Sequence, residues 1–139
     1  VQNRCAAIAL VLIAATGVAG CGQTETVPRK AARLTIDGAT RTTRPADCRQ
    51  DQSYRTIDIR DQNGQVEAVV LQSGYRAIPQ WVKIRNIDGF TGSFWLGGVG
   101  DAHAEVTNRA YTIAGSAYGI NDSNPNRVVT TDFKIAAEC

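Results

Sequence analysis

Val129-Thr130-Thr131-Asp132-Phe133-Lys134-Ile135-Ala136-Ala137-Glu138-Cys139 is the stretch on which the fold class turns. Val129, Thr131, Phe133, Ile135, Ala137 and Cys139 share one parity, and Asp132, Lys134 and Glu138 share the other. Successive side chains of an extended strand point to opposite faces. The spacing therefore puts the apolar set and Cys139 on one buried face and the charges on the other. A helical reading would scatter the same residues around its circumference.

Working outward, the same period recurs between turn signals. Tyr111 to Ala117 and Ala102 to Val106 read as a hairpin around Asn108-Arg109. Trp81 to Ile87 alternates, with Val82 and Ile84 opposite Lys83 and Arg85, and Asp88-Gly89 turns it into Ser93 to Leu96. Ile57 and Ile59 alternate with Thr56, Asp58 and Arg60, then Asn63-Gly64 predicts a type I′ turn into Val66 to Leu71. That last run is apolar enough to predict burial on both faces. Leu34-Thr35-Ile36 runs into a further favoured turn dipeptide, Asp37-Gly38. Loops are expected from Ser73 to Pro79, at Gly97 to Gly100 and from Asn121 to Pro125. No stretch of residues 33–139 has a helical period. The expectation is an all-β fold: one small antiparallel sandwich or barrel-like domain over 33–139, closed by one disulfide.

The N-terminal region has a different character. Ala6 to Ala19 is apolar and uncharged behind Arg4, and Val18-Ala19-Gly20-Cys21 is a small-residue tripeptide ending in cysteine, the pattern of a bacterial lipobox. The apolar run falls short of the roughly 20 residues a membrane-spanning helix needs. Residues 1–20 are thus expected to be a removed lipoprotein signal peptide, and the initial Val1 fits an alternative start codon. Cys21 becomes the acylated first residue of an extracytoplasmic, membrane-anchored chain, because more than one acyl chain is required for stable anchoring. Residues 21–32 read as the acylated cysteine and a flexible tether, in which Thr24 and Thr26 offer hydroxyls for glycosylation.

With Cys5 removed and Cys21 acylated, Cys48 and Cys139 remain in an oxidising compartment, where a pair is most simply a disulfide. One histidine and two thiols are too thin an inventory for zinc, and no cofactor is expected. The 15 Lys+Arg and 13 Asp+Glu nearly balance and form no long basic run, which excludes a nucleic-acid footprint. His103 has Asp101 and Glu105 on its own strand face, an acidic neighbourhood more in keeping with a solvated hairpin than with general-base catalysis. The glycines of 97–100 lack the Lys-Ser/Thr pair of a phosphate loop, no Gly-x-Ser-x-Gly elbow occurs, and no enzyme is expected. Trp81, Phe90, Phe94 and Trp95 fall within fifteen residues. They form either a candidate lipid or glycan groove with its mouth at Gly97–Gly100 or, the favoured reading, the large core residues of a small sandwich.

The lipobox, short tether, Leu34-Thr35-Ile36-Asp37-Gly38, lone early Cys48 and final Cys139 together resemble the mycobacterial LpqH-like lipoprotein antigens. Ile113-Ala114-Gly115-Ser116-Ala117-Tyr118-Gly119, then Asn124-Pro125 and Phe133-Lys134-Ile135, is similar to that family's closing segment. The resemblance implies a secreted, acylated, surface-exposed antigen without enzymatic activity, whose acylated terminus is recognised by host Toll-like receptor 2. The family's best-known member carries a glycosylated tether rich in Ser and Thr, where this chain has Thr24 and Thr26, and in place of that member's Thr- and Gly-rich middle strands it has Trp81, Phe94 and Trp95. A binding or carrier role for envelope lipid or glycolipid is the alternative expectation.

Overall fold

The alternating segment that ends the chain forms its longest strand. In the computed structural model, which describes residues 29–139, β10 spans Asn124–Glu138, with Thr131, Phe133, Ile135 and Ala137 buried and Asp132 and Lys134 exposed. Nine strands precede it: β1 Arg33–Ile36, β2 Ala39–Thr42, β3 Asp47–Asp51, β4 Tyr54–Asp61, β5 Gly64–Ser73, β6 Arg76–Ile87, β7 Phe90–Trp95, β8 Asp101–Thr107 and β9 Ala110–Asn121. The described residues contain no helix.

All pairings are antiparallel and run in the order β2-β1-β10-β9-β7-β6-β5-β4-β3. β9 holds β8 along its first half, from Thr107↔Ala110 to Asp101↔Ser116, and β7 along its end, from Ser93↔Tyr118 to Phe90↔Asn121. β2 and β3 lie at opposite ends of the path, so hydrogen bonds do not close the sheet. It folds over instead, and both halves contribute to one core that includes Leu34, Ile57, Ile59, Val66, Ile113 and Ile135. Fully burying such side chains is worth about 1.5–3 kcal/mol each before the entropy of ordering is counted.

Side chains fasten the two ends. Cys48 of β3 is disulfide-bonded to Cys139 beyond β10, with the Cα atoms 5.7 Å apart. Arg29 donates to the Ala46 carbonyl oxygen at 2.9 Å. Arg41 of β2 donates to both Asp61, at the end of β4, and Asp88, in the β6–β7 turn. Asp61 is largely shielded from water and Arg41 half-buried, so these charge-assisted bonds are less screened than an exposed pair. Arg41→Ala is expected to destabilise the domain by about 1.5–3 kcal/mol, the range for hydrogen bonds to charged groups. An unchanged urea midpoint would show that the contact contributes nothing.

Three local expectations change. The β4–β5 loop is Gln62-Asn63, with Gln62 at positive φ, and Gly64 already pairs with Asp61 inside the sheet. Gly64 is required for close approach: a Cβ there would lie 2.3 Å from the Asn86 carbonyl oxygen and 2.6 Å from Ile87 Cδ1. β5 is buried on one face, not two: Val66, Ala68 and Val70 are buried and Val69 and Leu71 half-buried. Pro79, read as part of a loop, lies within β6 opposite Val70, beside a register shift that leaves Gln80 bulged. Proline is tolerated beside such a bulge because the ladder is already interrupted there.

Candidate functional site

The outer face of β5, β6 and β7 carries the side chains that the core does not use. On β6, Val82 and Ile84 face inward, so Trp81, Lys83 and Arg85 face outward. Trp81 pairs with Trp95 across to β7, and their rings stack with centroids 6.1 Å apart and planes at 27°. The Lys83 ammonium lies 4.8 Å from the Trp81 ring centroid and 5.5 Å from that of Trp95. Each cation–π contact is worth about 0.5–1 kcal/mol at an exposed site. Glu67 is opposite Lys83 and Gln65 opposite Arg85, and these four side chains line a groove of about 260 Å³. The face therefore presents an aromatic stack beside a polar trough with one more cation than anion.

The structure does not bring the four aromatic residues of the expected groove together. Phe90 and Phe94 are 2% and 3% exposed and belong to the core, whereas Trp95 is 45% exposed on the opposite face. Strand geometry is the reason: Phe94 and Trp95 are sequence neighbours and must point to opposite sides. The core alternative holds for the two phenylalanines, and Trp81 and Trp95 form an outer platform. Lys83 was absent from the expected set, although its i+2 spacing from Trp81 places it on the same face.

His103 lies on β8 opposite Ala114, exposed like Asp101 and Glu105. Among the described residues no three His, Cys, Asp or Glu side chains are grouped to hold a metal ion. Cys21, Thr24 and Thr26 lie outside the described residues, as does the expected signal peptide. What is described is where that segment joins the domain. Arg29 bonds to Ala46 and pairs with Asp47 at 3.8 Å, and Lys30 pairs with Glu138 at 3.1 Å, next to the disulfide.

Comparison with known proteins finds relatives along nearly the whole chain. Residues 25–139 match the family described as Mycobacterium 19 kDa lipoprotein antigen. A protein of Mycobacterium tuberculosis named "Probable lipoprotein LppE" is 65% identical over 130 residues, covering 94% of this chain and 93% of its own length. Proteins named "Putative lipoprotein" from Mycobacterium avium subsp. hominissuis and Mycobacterium indicus pranii are 31% and 33% identical, each over 99% of this chain and nearly all of their own. The family match covers the whole described sheet and both bridged cysteines, and the chain belongs to the Mycobacterium 19 kDa lipoprotein antigen family, the lipoproteins of the mycobacterial cell envelope.

Proposed function

We propose that the chain is cut before Cys21, acylated on that cysteine and displayed outside the membrane as a non-enzymatic antigen domain. Its acylated terminus is then the part that host Toll-like receptor 2 would recognise. The observation carrying this reading is the lipobox Val18-Ala19-Gly20-Cys21 standing just ahead of the region, from residue 25, that matches a lipoprotein antigen family. The exposed setting of His103 supports a non-catalytic domain.

Mass spectrometry of the N-terminal peptide after expression in a mycobacterium tests the first step. A diacylglyceryl mass on Cys21 is expected, and a free thiol or a retained 1–20 segment would sink the proposal. Cys21→Ser is expected to move the protein from the detergent to the aqueous phase and to abolish signalling in a Toll-like receptor 2 reporter cell, with the circular dichroism spectrum unchanged.

A second reading, binding of envelope lipid or glycolipid, is favoured by the Trp81–Trp95–Lys83 platform. Stacked indoles next to a cation and the polar Gln65–Glu67 trough would suit a sugar or headgroup held on the outer face. It predicts a lipid mass that co-purifies with the wild type and disappears in Trp81→Ala/Trp95→Ala.

A further inference from the structure

The sheet is polar along its strands. At one end the chain enters β1 through Lys30, which is ion-paired with Glu138. The β8–β9 turn adjoins this point, since the Cys139 N–H donates to the Arg109 carbonyl oxygen at 2.8 Å. Alongside β8, Val106 and Thr107 share a groove of about 450 Å³ with Tyr75 and Arg76, at the tip of the β5–β6 hairpin. Tether entry, Arg109 and the Tyr75-Arg76 tip therefore belong to one end of the domain. The other end is made of the turns Asp37-Gly38, Gln62-Asn63, Asp88-Gly89 and Asp122-Ser123.

Charge differs between the two ends of that axis. Beyond the pairs Arg29–Asp47 and Lys30–Glu138, the entry end presents exposed Arg33, Arg44, Arg76 and Arg109 against Asp51 and Glu105. The far end carries Asp37, Asp61, Asp88 and Asp122 together with Arg41, which Asp61 and Asp88 engage, and with exposed Arg60 and Arg127. Tyr75 stands fully clear of the domain, and Val106 is also exposed. A tyrosine projecting beside Arg76, in a groove it shares with Val106 and Glu105, suits the boundary between lipid headgroups and acyl chains, where an amphipathic ring meets both media.

We propose that this end docks directly on an anionic phospholipid surface, with Tyr75 entering the headgroup layer and Arg76 and Arg109 meeting lipid phosphates. The proposal rests on the anchoring at Cys21 inferred above, which supplies the proximity. Cys21 and Arg29 are eight positions apart, a reach of at most about 29 Å when fully extended. A short tether of this kind keeps the end at an effective concentration in the millimolar range, so contacts too weak to recruit a free domain suffice to orient an anchored one. Anionic lipid attracts the entry end, where arginines are in excess, more than the far end, where aspartates and arginines nearly balance.

The test separates docking from anchoring. The chain from Cys21, which contains every residue of the sheet, is coupled through its Cys21 thiol to a maleimide phospholipid, the other two cysteines being held in their disulfide. It is then placed in nanodiscs of phosphatidylcholine with phosphatidylglycerol that carry a paramagnetic headgroup lipid. Amide relaxation enhancement is expected to be several-fold larger at 74–77 and 106–109 than at 37–38, 62–63 and 88–89. Arg76→Glu/Arg109→Glu, changed only at exposed positions, is expected to lower the docked population at least about tenfold, given the worth of each cation at an anionic surface. Phosphatidylcholine alone or ~0.5 M salt is expected to act in the same direction. Equal enhancement at both ends, or a maximum at Trp81 and Trp95, would overturn the proposal. Chemical coupling keeps this outcome independent of cellular acylation, which the N-terminal mass decides separately.

Discussion

Replacing Cys48 and Cys139 together by alanine is expected to lower the unfolding free energy of the domain by about 4–5 kcal/mol. The bond links residues 91 apart in sequence, and in the chain-entropy account a loop of that length restricts the unfolded chain nearly as much as any within a domain of this size. The folded state loses as well. β3 stands at the end of the pairing path with a five-residue ladder to β4 as its one strand pairing, so the bridge is its covalent tie to the last strand. Small domains have about 5–15 kcal/mol of stability in total, so the variant should be near the limit of folding. Urea denaturation of the oxidised protein and of the double variant measures the difference. A gap below about 1 kcal/mol would mean that the sheet closes without the bridge and that the unfolded-state argument fails here.

Phe90→Ala is expected to cost about 3–5 kcal/mol, the range for truncating a buried aromatic side chain. The ring is 2% exposed and lies across Gly92 so closely that a Cβ there would be 2.4 Å from Phe90 Cζ. No neighbouring side chain therefore occupies the space under the ring, and truncation leaves a cavity between β7 and the facing strands. Trp95→Ala, though it removes a larger side chain, is expected to cost only about 0.5–1.5 kcal/mol, the worth of its stacking on Trp81. The reverse order in paired urea melts would contradict the division of the aromatic residues between core and outer face.

That division marks the boundary of what could be read before the structure. Alternation placed Phe133 and Ile135 inside and Lys134 outside, and the same rule applied to Phe94-Trp95 separates the two rings. Grouping the aromatics by nearness in sequence obscured it, because nearness along a strand is not nearness on a face. The turns at Asp37-Gly38, Asp88-Gly89 and Asn108-Arg109 lie where the dipeptides put them, with positive φ at Asp37, Asp88 and Asn108. The β4–β5 turn moved by one residue because Gly64 is needed against Asn86 and Ile87, a contact between distant strands that no local signal encodes.

The sequence by itself determined the strand class, the buried face of the final strand, the pairing of Cys48 with Cys139 and the membership of a lipoprotein antigen family, since each depends on local periodicity, residue inventory or a contiguous motif. Only the tertiary structure decided that β10 inserts between β1 and β9, that Arg41 bridges Asp61 and Asp88, and that the arginine-rich turns share an end with the point where the chain enters the sheet. Those features depend on which strands pair at long range. The period of two records which face of a strand is buried but not its neighbours, and the pairing is chosen by the summed packing of the whole core.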